Sequence, residues 1–281
     1  MSYEMRQRWL PLTGCALLLL AACQTPPAPS GDQADTGAPA ADGGSAEAGF
    51  AGAIEAAQGL EAWRAHPAIG ADIVVTFRGN TSLDGRLVFK TDMGGSRVEL
   101  ADGTVAVFDG TDAWVSPASS SFQRARFHLL TWPYFFAVPM KLHDPGTHLE
   151  PTGEMQLQGQ TYDTAKLTFG AGVGDSPDDW YVLFRDRETN FLHAMGFIVT
   201  YSKSVEEAEA SPEAITYHDY TDVDGVRIPS RWKLWRWSPQ GGIEGDPIGE
   251  VELSGVRFLE PGPETFARPP DSRRAGLPGE S

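Results

Sequence analysis

The chain has 281 residues, 41% of them hydrophobic, with 38 acidic against 22 basic side chains and a formal net charge of −16. That length can bury a sizeable core, in one large domain or two small ones. The acidic balance argues against nucleic acid as a partner, because a phosphate backbone is gripped by a dense basic stripe that releases counterions.

The N-terminus reads as an export signal. In "MRQRWLPLTGCALLLLAACQ", residues 5–24, the basic Arg6 and Arg8 precede a short apolar run and then small residues before a cysteine. The apolar run is far short of the roughly 20 residues that a spanning helix needs. "LAAC", residues 20–23, resembles the bacterial lipobox, which implies cleavage before Cys23 and acylation of that cysteine. "LTGC", residues 12–15, also fits the pattern, but cutting there would leave the apolar 16–22 run on the mature chain, so Cys23 is preferred over Cys15. These are the only two cysteines, so the folded part holds no disulfide. Each buried acyl CH₂ contributes about 0.8 kcal/mol to anchoring. In the sorting rule attached to the lipobox, an Asp after the cysteine favours the inner membrane. Gln24 stands there instead, which implies an outer-membrane anchor with the domain in the periplasm.

Residues 1–22 are thus read as signal peptide, and 23–49 as the lipidated cysteine and a disordered tether rich in Pro, Ala, Gly and acid. As a flexible coil the tether spans about 25–30 Å. A domain is expected over 50–268, followed by a flexible tail at 269–281.

The domain opens on a short helix, "AGAIEAAQGLEAWRAH", with Ile54, Ala57, Leu60 and Trp63 at helical spacing. Five period-two segments follow between residues 71 and 117, and a further series runs from Gly153 to Glu260, about eleven strands in all. Short strands separated by Gly and Asp predict an antiparallel meander. Residues 122–142, "FQRARFHLLTWPYFFAVPMKL", interrupt it. Here Phe127, Leu130, Tyr134 and Phe135 have helical spacing, while Pro133 and Pro139 predict a break into two short helices lying across one face of a curved sheet.

Together, the lipobox, the tether, the "AQGLEAWRAH" opening, the aromatic insert ending in "PMKLHDPG" and the ending "YHDYTDVDGVRIPSRWKLW" resemble an uncharacterised family of bacterial lipoproteins similar in architecture to the carriers LolA and LolB. The resemblance covers most of residues 50–260. It implies a mainly β (α+β) fold, an incomplete β-barrel with a helical lid, and a cavity for acyl chains.

On that fold Trp132, Tyr134, Phe135, Phe136, Val138 and Met140 form the lid's inner face, either as walls for an apolar ligand or simply as core. Alternation in "RIPSRWKLWRW" puts Trp232 and Leu234 on one face of a strand and Arg231, Lys233, Trp235 and Trp237 on the other. The second set is either a surface for lipid headgroups or an anionic partner, or a row of rings covered by basic stems.

Signs of catalysis are weak. "GDSP", residues 174–177, lies in a Gly and Asp loop and not on a strand-to-helix elbow. His143, Asp144, His148 and Glu150 lack a recognised metal spacing. The acidic 205–213 run reads as a solvated hairpin loop, and "DVDG", residues 222–225, as a tight turn and not a calcium loop. We expect no cofactor, no metal and no enzyme activity. The expected function is binding or carrying a lipid or acyl chain, with membrane contact through acylated Cys23. The alternatives are an envelope sensor or scaffold that docks a protein partner and, further behind, a hydrolase.

Overall fold

A computed structural model describes residues 43–276; the export signal, Cys15, Cys23 with its acyl group, and most of the tether lie outside the described residues. The chain starts with helices α1 (Gly43–Gln58) and α2 (Leu60–Arg64), followed by strands β1 (Ala68–Phe77), β2 (Asn80–Lys90), β3 (Ser96–Leu100), β4 (Val105–Phe108) and β5 (Ala113–Ser116). Helix α3 (Ala125–Ala137) and a 3₁₀ turn (Val138–Met140) come next, then β6 (Thr147–Leu157), β7 (Gln160–Phe169), β8 (Tyr181–Arg185) and β9 (Leu192–Phe197). A one-turn helix α4 (Val205–Glu209) leads to β10 (Glu213–Val223), β11 (Val226–Ser238), β12 (Gly242–Leu259) and β13 (Arg273–Ala275). Among the described residues no helix is long and apolar enough to cross a membrane.

All thirteen strands lie in one open antiparallel sheet, ordered β13-β5-β4-β3-β2-β1-β12-β11-β10-β9-β8-β7-β6. The fold is therefore the mainly β, curved, lidded sheet expected. The two series of strands are joined in its middle, where β1 pairs with β12 over nine residue pairs from Ala68↔Leu259 to Phe77↔Gly249. Several hairpins have two-residue loops. At Asp224-Gly225 both φ values are positive, 51° and 86°, the geometry whose twist matches that of the flanking strands. This is the tight turn expected of "DVDG".

The strand count exceeds expectation by two. Residues 147–152, read as loop, begin edge strand β6, with Pro151 at a register shift where its missing N–H breaks no regular ladder. Residues 273–275, read as flexible tail, form β13 on the opposite edge, where Ser116 Oγ donates to Pro270 O (2.8 Å) and Arg274 meets Asp112 (2.7 Å). The acidic 205–213 run is not simply a loop. Ser204 and Glu207 make a capping box that nucleates α4, a signal present in the sequence as Ser-x-x-Glu.

Helix α3 differs most from expectation. It runs through Pro133 without a break, and only Pro139 ends it, in the 3₁₀ turn. A proline inside a helix withdraws the amide that would serve the carbonyl four residues earlier. For Pro133 that carbonyl belongs to Leu129, and the buried Ser96 hydroxyl of β3 donates to it at 2.6 Å. For Pro139 it belongs to Phe135, and Tyr217 Oη of β10 donates to it at 2.9 Å. Two hydroxyls from opposite halves of the sheet thus replace the two amides that the prolines lack. They fix the lid across the sheet face.

The core lies between that face and the helices. Ile54, Trp63, Leu129 and Phe136 pack on Ile69, Phe89, Trp232 and their neighbours. Gln58, 1% exposed, ties α1 to both ends of its neighbourhood: its Nε2 donates to Arg227 O (3.3 Å) and its Oε1 accepts from Leu192 N (2.8 Å). A second, smaller cluster on the other face joins Leu157, Tyr162, Phe184, Trp235 and Trp237.

Candidate functional site

Under the N-terminal half of α3 the core is incomplete, and an open cleft of about 570 Å³ enters between helix and sheet. Small-molecule sites commonly occupy about 300–1,000 Å³. Helix α3 contributes Phe127, His128, Thr131, Trp132 and Phe135, and the sheet contributes Val75 and Phe77 of β1, Phe197 of β9 and Leu234 of β11. The floor is continuous because β12 carries glycine where it passes between β1 and β11. A Cβ on Gly249 would stand 2.6 Å from Thr76 O, 3.0 Å from Phe77 Cδ2 and 3.2 Å from Leu234 Cδ1. Without one, Phe77 and Leu234 close over the strand.

Polar groups are few and placed at the margins. Arg78, Arg124 and Lys203 are exposed at the cleft, and Glu213 is partly buried in it. Arg124 lies over the Phe127 ring at 4.2 Å and within 5.9 Å of Tyr201, and Arg78 is 5.3 Å from the Phe77 centroid. Guanidinium groups so placed sit on the boundary between an aromatic wall and water. Burial pushes the Glu213 carboxyl up, while Lys203, Arg78 and Arg236 pull it back.

His128 is the one buried titratable group of the wall. Burial, with some help from Arg124, lowers its pKa to about 4, so the ring is neutral at pH 7. Trp132 Nε1 can only donate, and it donates to His128 Nδ1 at 2.9 Å. The proton of the neutral ring is therefore on Nε2, which has no partner among the described residues.

Of the six expected lid residues, the structure brings Trp132 and Phe135 to the cleft. Tyr134 instead packs on Phe169 and Tyr181, its hydroxyl buried without a partner, and Phe136 fills the core against Trp63, Phe89 and Trp232. Val138 and Met140 are buried in the same core. A single helix turns one stripe toward the cleft, so the other four of the six point elsewhere.

The basic, aromatic strand has the alternation expected, with Trp232 and Leu234 on the core side, but its tryptophans are not a surface. Trp235 and Trp237 are 8% and 2% exposed. Trp235 Nε1 donates to Thr216 Oγ1 (2.9 Å), and Trp237 lies against Phe184 and over Gly196. Arg231 pairs with Asp219 at 2.6 Å, and Lys233, its register partner Thr216 behind it, stays on the outer face. The outer face is drier than alternation implied, because the bulky rings of β7, β8 and β11 bury one another.

Other singled-out motifs have structural partners. Asp175 of "GDSP" takes a two-pronged ion pair from the buried Arg126, at 2.5 and 2.8 Å. His143 donates its backbone N–H (3.3 Å) to the buried carboxylate of Glu55, and its ring Nδ1 shares a 2.7 Å hydrogen bond with it, while Asp144 pairs with Lys141. Among the described residues no group of three or more His, Cys, Asp or Glu stands close enough to hold a metal.

Phe127, Arg124, His128 and Lys203 were not singled out as site residues from the sequence. The signal within reach was the helical spacing of Arg124, at the N-cap of α3, with His128 and Thr131, all ahead of Pro133.

No family model matches the chain, and no curated protein matches it. Among solved structures it is similar to a LolA superfamily protein from Nitrosomonas europaea, at 13% identity and TM-score 0.48, over 80% of this chain and 97% of that one. It is also similar to a DUF1329 family protein from Desulfovibrio piger, at 13% identity and TM-score 0.49, with the same coverage of 80% and 97%. The sheet and lid described above establish the fold by themselves.

Proposed function

We propose that this protein is a periplasmic lipoprotein, anchored in the outer membrane through Cys23, that binds or carries a lipid or acyl chain in the cleft beneath α3. The observation that supports the reading is the cleft itself: about 570 Å³ walled largely by aromatic and aliphatic side chains. Apolar walls suit a ligand that asks for no hydrogen bonds, since burying an unpaired polar group there would be costly. The protein acts by binding and not by chemistry in this reading.

The test is native mass spectrometry with organic extraction of the purified protein. A co-purifying lipid or fatty acid is expected, and it should be lost from Phe127→Asp and Val199→Asp variants, whose side chains line the cleft but are only partly buried, so the fold survives. A clean unliganded mass together with no binding of a neutral apolar fluorophore would overturn it.

A further inference from the structure

We infer that the ligand is an anionic amphiphile, one long alkyl chain held under α3 with a carboxylate or phosphate headgroup held at the mouth by Arg78, Arg124 and Lys203. The inference rests on the apolar-ligand reading and adds a head to the tail.

The first argument is charge. The chain has 38 acids and 22 bases. Arg86, Arg97, Arg126, Arg185, Arg187 and Arg231 pair with carboxylates, while some other Lys and Arg side chains among the described residues do not. What sets Arg78, Arg124 and Lys203 apart is that three cations with no carboxylate within ion-pair distance among the described residues border one cleft. Against them stands a single acid, Glu213, so the mouth is locally positive on a strongly acidic protein. Such a patch concentrates an anion and gives it charge-assisted hydrogen bonds.

The second argument is placement. Arg124 and Arg78 rest on the rings of Phe127 and Phe77, which are themselves cleft walls. Their charges therefore lie where an apolar channel meets water, the position an amphiphile's head takes when its tail is buried. His128 Nε2–H adds a neutral donor on the same wall without a protein partner.

The third argument is size. If a methylene takes up about the 30 Å³ of a liquid water, the 570 Å³ cleft holds roughly 19 such groups. That is room for one sixteen-carbon tail and not for two of them.

The experiment is displacement of a neutral apolar fluorophore from the purified protein by four ligands with the same sixteen-carbon tail: palmitate, hexadecyl phosphate, hexadecanol and hexadecyltrimethylammonium. Palmitate or hexadecyl phosphate should bind at least tenfold tighter than hexadecanol, the cation should bind weakest, and added salt should erode the preference. Which anion wins separates a fatty-acid ligand from a phospholipid-type head. The Arg78→Gln, Arg124→Gln, Lys203→Gln triple variant should lose the preference while keeping its affinity for hexadecanol, and Arg124→Lys should restore part of it. Equal binding of hexadecanol and palmitate, or an anion preference untouched in the triple variant, overturns the headgroup inference and leaves the cleft reading standing. Failure of all four ligands and the fluorophore overturns both.

Discussion

Replacing Ser96 by alanine removes one hydroxyl from the buried contact between β3 and the lid. The Leu129 carbonyl then loses the 2.6 Å bond that stands in for the amide Pro133 lacks. Ser96 is 2% exposed, so water does not take over easily. An orphaned buried acceptor costs about 1–3 kcal/mol, and we expect Ser96→Ala to fall in that range. Guanidinium unfolding should show the midpoint moving down with an unchanged slope. The cause is isolated by a cycle with Pro133→Ala, which restores an amide at position 133. In that background Ser96→Ala should cost less, by a coupling on the order of 1 kcal/mol. If Ser96→Ala costs the same with either residue at 133, or costs nothing, the replacement of the proline's missing donor is not what holds α3 to the sheet.

Tyr217→Phe tests the second such bond: with Pro139 unable to serve the Phe135 carbonyl, it should cost about 1–3 kcal/mol by the same unfolding assay. Gly196→Ala should destabilise by about 1–3 kcal/mol, because the new Cβ would lie 2.6 Å from the Trp237 ring, and Gly196→Ala combined with Trp237→Leu should recover much of the loss. His128 is held neutral with a folded pKa near 4, below the ordinary value of 6.5, so the unfolded chain binds the extra proton first as pH falls. Its contribution is fully present above about pH 6.5 and is lost progressively down to about pH 4, on the order of 3 kcal/mol in total. The stability difference between the wild-type protein and His128→Gln, followed by urea unfolding at several pH values, should therefore shift against the wild type as pH falls from 7 to 4. A difference that stays flat across that window would mean that His128 titrates normally.

What the sequence determined was local. Period-two segments punctuated by Gly and Asp specify antiparallel strands, and Asp224-Gly225 specifies its hairpin, because turn geometry and side-chain alternation depend only on neighbouring residues. The core side of "RIPSRWKLWRW" was legible for the same reason. The lid was legible as an aromatic, proline-bearing segment, and two of its six expected ligand-facing residues, Trp132 and Phe135, do reach the cleft.

Tertiary structure decided the rest, and in each case the deciding partner is distant in the chain. Pro133 sits inside α3 where Ser96, 33 residues before Leu129, supplies the donor that the proline lacks. The short β13 is a strand only because β5 offers it an edge. Trp235 and Trp237 are buried by rings such as Tyr162 and Phe184, from strands distant in sequence, which no alternation pattern records. The cleft belongs to the same class: it exists where Phe77, Phe197 and Leu234 meet under α3 with Gly249 between two of them, and a cavity is a property of what packing leaves unfilled.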